Sequence, residues 1–118
     1  MAQSPTVRII LDAMGGDFAP QNEVLGAIAA MEHFKTNNIN AEVAFVGREK
    51  DIRSALAQHG ASGADFPIIH ADDVVTMEDE PAVAFRKKRG SSLYIGLQQH
   101  AEGYAQAFVS AGNTGAVM

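Results

Sequence analysis

The sequence predicts an α/β fold, a layered sheet of mainly parallel strands with helices on both faces. Three observations carry that prediction. Apolar, β-branched runs alternate with segments of helical periodicity along the chain. The first of those runs is apolar at successive positions, as strands buried on both faces are. The turns between elements are short, which implies right-handed crossovers and parallel pairing.

Taken in order, "TVRIILDA" (Thr6 to Ala13) reads as the first buried strand. "PQNEVLGAIAAMEHFKT" follows as a helix, with Pro20 suited to its first position and Val24, Ile28, Met31 and Phe34 recurring at helical spacing. Asn37-Asn38 ends it. "AEVAFVG" (Ala41 to Gly47) is a second strand. "REKDIRSALAQHG" is a second helix, with Ile52 and Leu56 inward and Gly60 as terminator. "DFPIIHA" is a short third strand. The acidic stretch from Asp72 to Glu80 reads as a loop. A short helix is expected from Pro81 to about Lys88, and another from Ser92 to Glu102, closed by Gly103. "AQAFVS" (Ala105 to Ser110) is the last strand.

At 118 residues, 47% hydrophobic and 19% charged, the chain has the composition of one globular domain. It contains no cysteine, which removes disulfides and thiolate metal sites. No stretch is long and apolar enough to span a bilayer, and "MAQSPTVR" is no signal peptide, so the cytoplasm is the expected location. A net charge of −5 argues against nucleic acid as a partner. Yet four of the nine Lys and Arg residues are consecutive, Arg86 to Arg89, which suggests a local anionic ligand or an acidic partner.

Ligands of such sheets collect where strands run into helices, and three turns of that kind stand out. In "LDAMGGDFAP", Asp12 ends a buried strand, Gly15-Gly16 let the backbone approach a ligand, and Asp17 precedes a helix. Equally, Asp17 could simply cap that helix and the glycines make a tight turn. In "FRKKRGSSLYIGL", cations, a glycine, two hydroxyls and a helix start adjoin, the parts of an anion cradle. Its plainer reading has the cations at one helix end and Ser92 as the N-cap of the next. In "SAGNTGAVM", Gly112 and Gly115 flank Asn113 and Thr114, which would cap another helix or hold a phosphate. His33, His59, His70 and His100 show no metal-binding spacing, although His70 sits at a strand end beside "ADD". The acidic loop does not match a calcium-binding pattern.

Those three motifs, with "IIHADDVVTMEDEPAVAFR" between them, resemble the bacterial PlsX phosphate acyltransferases over nearly the whole chain. The resemblance implies a fold related to isopropylmalate dehydrogenase and phosphotransacetylase. It also implies transfer of a fatty acyl group from acyl-[acyl-carrier protein] to inorganic phosphate, for phospholipid synthesis, with a homodimer as the usual state. Family members continue past Met118, so residues 1–118 are expected to be the amino-terminal part of a single domain, inactive alone. Peripheral association with the inner face of the membrane would then involve regions beyond Met118.

On this reading Ser91, Ser92, Asn113 and Thr114 hold phosphate and Lys87 or Lys88 supplies charge, with Lys88 and Asn113 as the catalytic pair. Asp12, Gly15, Gly16 and Asp17 shape the substrate-binding turn, and no metal or nucleotide cofactor is required. Two other classes remain open. One is a non-catalytic anion-binding module. The other is a fragment of a decarboxylating dehydrogenase, although such enzymes need a metal-binding aspartate set that this stretch lacks.

Overall fold

The computed structural model describes residues 6–16, 18–72 and 90–111. Four strands alternate with three helices: β1 (Val7–Asp12), α1 (Gln21–Thr36), β2 (Ala41–Gly47), α2 (Glu49–Gln58), β3 (Ile68–His70), α3 (Ser92–Ala101) and β4 (Ala107–Val109). The strands form one sheet in the order β3-β2-β1-β4, and every pairing is parallel. The expected short helix from Pro81 and most of the acidic loop lie outside the described residues.

Alternation along the central strands explains how both faces are covered. Leu11, Val43 and Phe45 point to the side where Val24 and Ala27 of α1 and Ile52 and Leu56 of α2 pack. Ile10 and Val46 point the other way, against Ile95 of α3. β2 is therefore buried at five consecutive positions, Val43 to Gly47, as a strand sandwiched between two helical layers must be. Phe45 lies wholly inside and stacks at a tilt on Phe66, with ring centres 5.2 Å apart. Burying a side chain of that size contributes roughly 1.5–3 kcal/mol.

Helix ends follow the chain's own punctuation. Asn38 takes a left-handed φ of 55° after α1, and Gly60 takes 75° after α2, the conformation that short polar residues and glycine tolerate. Two capping expectations are corrected. Ser91, not Ser92, is the N-cap of α3, because its hydroxyl accepts the Tyr94 N–H at 3.1 Å. The N-cap position of α1 is Pro20, and among the described residues no side chain caps that helix; Asp17 lies outside the described residues.

The topology also fixes where a ligand can sit. The chain moves outward from β1 through β2 to β3, always with its helix on one face. It then crosses behind the sheet through α3 to enter β4 on the other side of β1. Strand order therefore reverses between β1 and β4. At such a switch point the helices leave in opposite directions and open a crevice at the carboxyl ends of the strands.

Candidate phosphate-binding rim

Asp12 closes β1 at that crevice and is only 2% exposed. One carboxylate oxygen, Oδ1, accepts the Met14 N–H at 3.0 Å, which bends the chain into the glycine turn. The other, Oδ2, accepts the Ser110 hydroxyl at 2.8 Å, from the residue that follows β4. Asp12 thus ties two strand ends across the switch point, and both oxygens of its buried charge have donors.

The turn itself contains Gly15 and Gly16, both half-buried. The Gly16 N–H points to Glu23 Oε2 at 3.4 Å, and a Cβ at Gly16 would stand only 3.1 Å from either Glu23 oxygen. A larger residue here would push the Glu23 carboxylate outward by a few tenths of an ångström. Burial pushes the Glu23 carboxyl above the usual range; hydrogen bonds from its own N–H and that of Gly16 oppose the shift, and the charge of Asp12 adds to it. Sequence reasoning missed Glu23. The available signal was an acidic residue in the first turn of a helix entered from a Gly-Gly loop.

α3 runs antiparallel to the strands, so its first turn returns to the same rim. Ser91 and Ser92 are there, at 0% and 1% exposure. The Ser91 carbonyl accepts the Ile95 N–H at 3.0 Å while its hydroxyl caps the helix. Among the described residues, no buried side-chain nitrogen or oxygen lacks a partner. The structure thus brings Asp12, Gly15, Gly16, Ser91 and Ser92 to one edge of the sheet, with Ser110 as an unforeseen tie between two of its turns. Asp17, Lys87, Lys88, Asn113 and Thr114 lie outside the described residues.

Helix N-termini present unpaired N–H groups and a partial positive charge, and a glycine turn leaves amides accessible. At this rim the helix starts supply the positive end of a dipole, while the Gly16 N–H is taken by Glu23, the Tyr94 N–H by Ser91, and Asp12 and Glu23 add carboxylates of their own. His70 is engaged elsewhere. It pairs in register with Gly47, so β2 separates it from Asp12. Its Nδ1 accepts the Glu49 N–H at 3.2 Å, leaving the proton on Nε2 to meet Asp72 Oδ1 at 2.6 Å. That histidine caps α2 from the neighbouring strand. Among the described residues no group of three or more His, Asp or Glu side chains could hold a metal ion, and no helix is long and apolar enough to cross a membrane.

Comparison with known proteins gives the family. The family described as "Fatty acid synthesis protein" matches residues 7–118. The phosphate acyltransferase of Herpetosiphon aurantiacus is 46% identical over 112 residues, covering 95% of this chain and 29% of the relative. That of Carboxydothermus hydrogenoformans is 48% identical over 110 residues, covering 93% and 32%. That of Magnetococcus marinus is 46% identical over 115 residues, covering 96% and 31%. The chain therefore spans about three-tenths of the length of these relatives. A matched family over nearly every residue, on a parallel α/β sheet whose loops meet at one rim, leads to one conclusion: the chain belongs to the fatty acid synthesis protein family, whose matched members are named phosphate acyltransferase.

Proposed function

We propose that the protein to which residues 1–118 belong, as the amino-terminal part of one domain, moves a fatty acyl group from acyl-[acyl-carrier protein] to inorganic phosphate. The convergence of the glycine turn, the first turn of α3 and Ser110 on the β1–β4 switch point supports this reading. In the reaction a phosphate oxygen attacks the thioester carbonyl, the carbon–sulfur bond breaks, and the carrier's thiolate leaves to take a proton from solvent. The nucleophile is already an oxyanion. The protein's task is to hold it against the carbonyl and to stabilise the tetrahedral oxyanion.

Amides of the start of α3 suit that task, with Ser91 and Ser92 shaping the helix start; in the glycine turn the Gly16 N–H is held by Glu23 and would have to leave it to reach phosphate. Lys87 and Lys88 provide cationic charge for phosphate, and Asn113 and Thr114 donate to it. Lys88 and Asn113 act closest to the reacting carbonyl. Asp12 and Asp17 orient the turn, and Asp12 makes the hydrogen bonds such a role requires. The basic run Arg86 to Arg89 meets the acidic carrier protein, chiefly raising the association rate. The partner is a soluble carrier, which places the work in the cytoplasm; a homodimer and contact with the inner membrane face belong to the longer protein.

The full-length protein, given acyl-[acyl-carrier protein] and phosphate, should yield acyl phosphate, trapped with hydroxylamine as the acyl hydroxamate. Residues 1–118 alone should bind phosphate without turnover. A full-length protein that binds phosphate yet forms no acyl phosphate would favour a purely anion-binding role.

A further inference from the structure

Between α1 and the β1–β4 half of the sheet runs an apolar groove of about 290 Å3. Ile9, Leu11 and Val109 form its sheet wall, and Gly26, Ala30 and Phe34 its helical wall. Glu23, at one end, is the only ionisable side chain among the described lining residues. The groove exists for two reasons. α1 packs over β1 and β2, so on this face no described helix covers β4, and Val109 is 50% exposed. The flank of α1 is also low at Gly26 and Ala30, and a Cβ placed on Gly26 would meet nothing within 4 Å.

The groove is continuous with the rim. Glu23 accepts the Gly16 N–H, and Val109 directly precedes Ser110, whose hydroxyl holds Asp12. From that mouth the helical wall runs away from the rim, and the stretch Glu23 to Phe34 spans about 16 Å at the rise of an α-helix. A thioester whose carbonyl lies at the rim must send its hydrocarbon tail somewhere dry. The glycine turn is where that carbonyl would be held.

We infer that this groove receives the apolar tail of the acyl donor and sets the chain length that the enzyme prefers. The inference rests on the acyl-transfer reading above. Burying one further methylene strengthens binding roughly fourfold, so an apolar groove that covers several methylenes discriminates between short and long chains.

Gly26→Leu is the informative change. It fills the groove from an exposed helical position where its Cβ has space, and leucine is the better helix former. In the full-length protein the Michaelis constant would be measured for butanoyl, octanoyl, dodecanoyl and hexadecanoyl carrier-protein donors, together with that for phosphate and the melting temperature. The dodecanoyl and hexadecanoyl values should rise about tenfold or more, which corresponds to losing two or more buried methylenes. The butanoyl and phosphate values and the melting temperature should hold. A rise equal at every chain length with a lowered melting temperature would mean that another segment of the longer protein packs in the groove. No change at any length would put the tail elsewhere, and either result overturns the inference. Binding of the fluorescent fatty acid cis-parinaric acid, read without phosphate, separates this from failure of the reaction. The unaltered protein should bind it and Gly26→Leu should weaken binding tenfold, even if no acyl phosphate forms; equal binding by both would again overturn the inference.

Discussion

The Ser110 hydroxyl donates to Asp12 Oδ2 at 2.8 Å, joining the end of β4 to the end of β1 across 98 residues of chain. The bond sits where strand order reverses, at the ends of two paired strands that border the crevice. Asp12→Ala leaves the Met14 N–H and the Ser110 hydroxyl without their carboxylate, and should cost about 2–4 kcal/mol by urea denaturation. Ser110→Ala should cost about 1–2 kcal/mol. The double variant should lose less than the sum of the two, because the single changes remove one shared interaction.

Gly96 of α3 faces the ring of Phe108 on β4, and a Cβ there would fall 2.3 Å from Phe108 Cε1. On an isolated helix Gly→Ala stabilises by up to about 1 kcal/mol. Here the ring belongs to the packed cluster of Ile10, Val46 and Ile95, and must move. Gly96→Ala should therefore destabilise by about 1–3 kcal/mol, a reversal of sign visible as a lowered melting temperature.

The cap on α3 makes a separate prediction for two adjacent and equally buried serines. Ser91→Ala removes the acceptor for the Tyr94 N–H and should cost about 1 kcal/mol. Ser91→Asp, which can accept the same bond, should recover part of that loss, whereas an aspartate at position 92 cannot serve as this cap. Thermal melts of the three variants test the assignment.

Glu23 makes stability depend on pH. Burial raises its folded-state value above the ordinary one, with the charge of Asp12 a smaller contributor, so the folded protein holds that proton more tightly than the unfolded chain. The resulting increment is fully present below the ordinary glutamate range, near 4.3, and is lost as pH rises through the raised value. Glu23→Gln should be more stable than the parent above that window and should flatten the pH profile across it. Urea midpoints taken through the acid range would show both effects.

Continuous apolar runs made the strands legible and a repeat near 3.6 the helices, as with Val43 to Gly47 in β2 and Ile52 and Leu56 in α2. Gly60 and Asn38 announced their helix ends through the conformation they permit. The cap of α3 was misplaced by one residue because two serines stand together, and only the Ser91 hydroxyl's contact with Tyr94 N–H distinguishes them. Ser110 stayed hidden for a different reason: the crossover topology brings Asp12 beside it, and no local pattern encodes a partner that far along the chain. Glu23 carried a local signal, an acidic residue in the first turn after a glycine loop, but its contact with the Gly16 N–H depends on how that loop folds.

The rim is tested most directly by the Michaelis constant for phosphate in the full-length protein carrying Ser91→Ala and Ser92→Ala together, with folding verified by melting temperature. Disturbing the start of α3 should raise that constant about tenfold or more, equivalent to about 1.4 kcal/mol of lost phosphate binding, while leaving the constant for the acyl donor within about twofold. An unchanged phosphate constant in the folded variant would contradict the account.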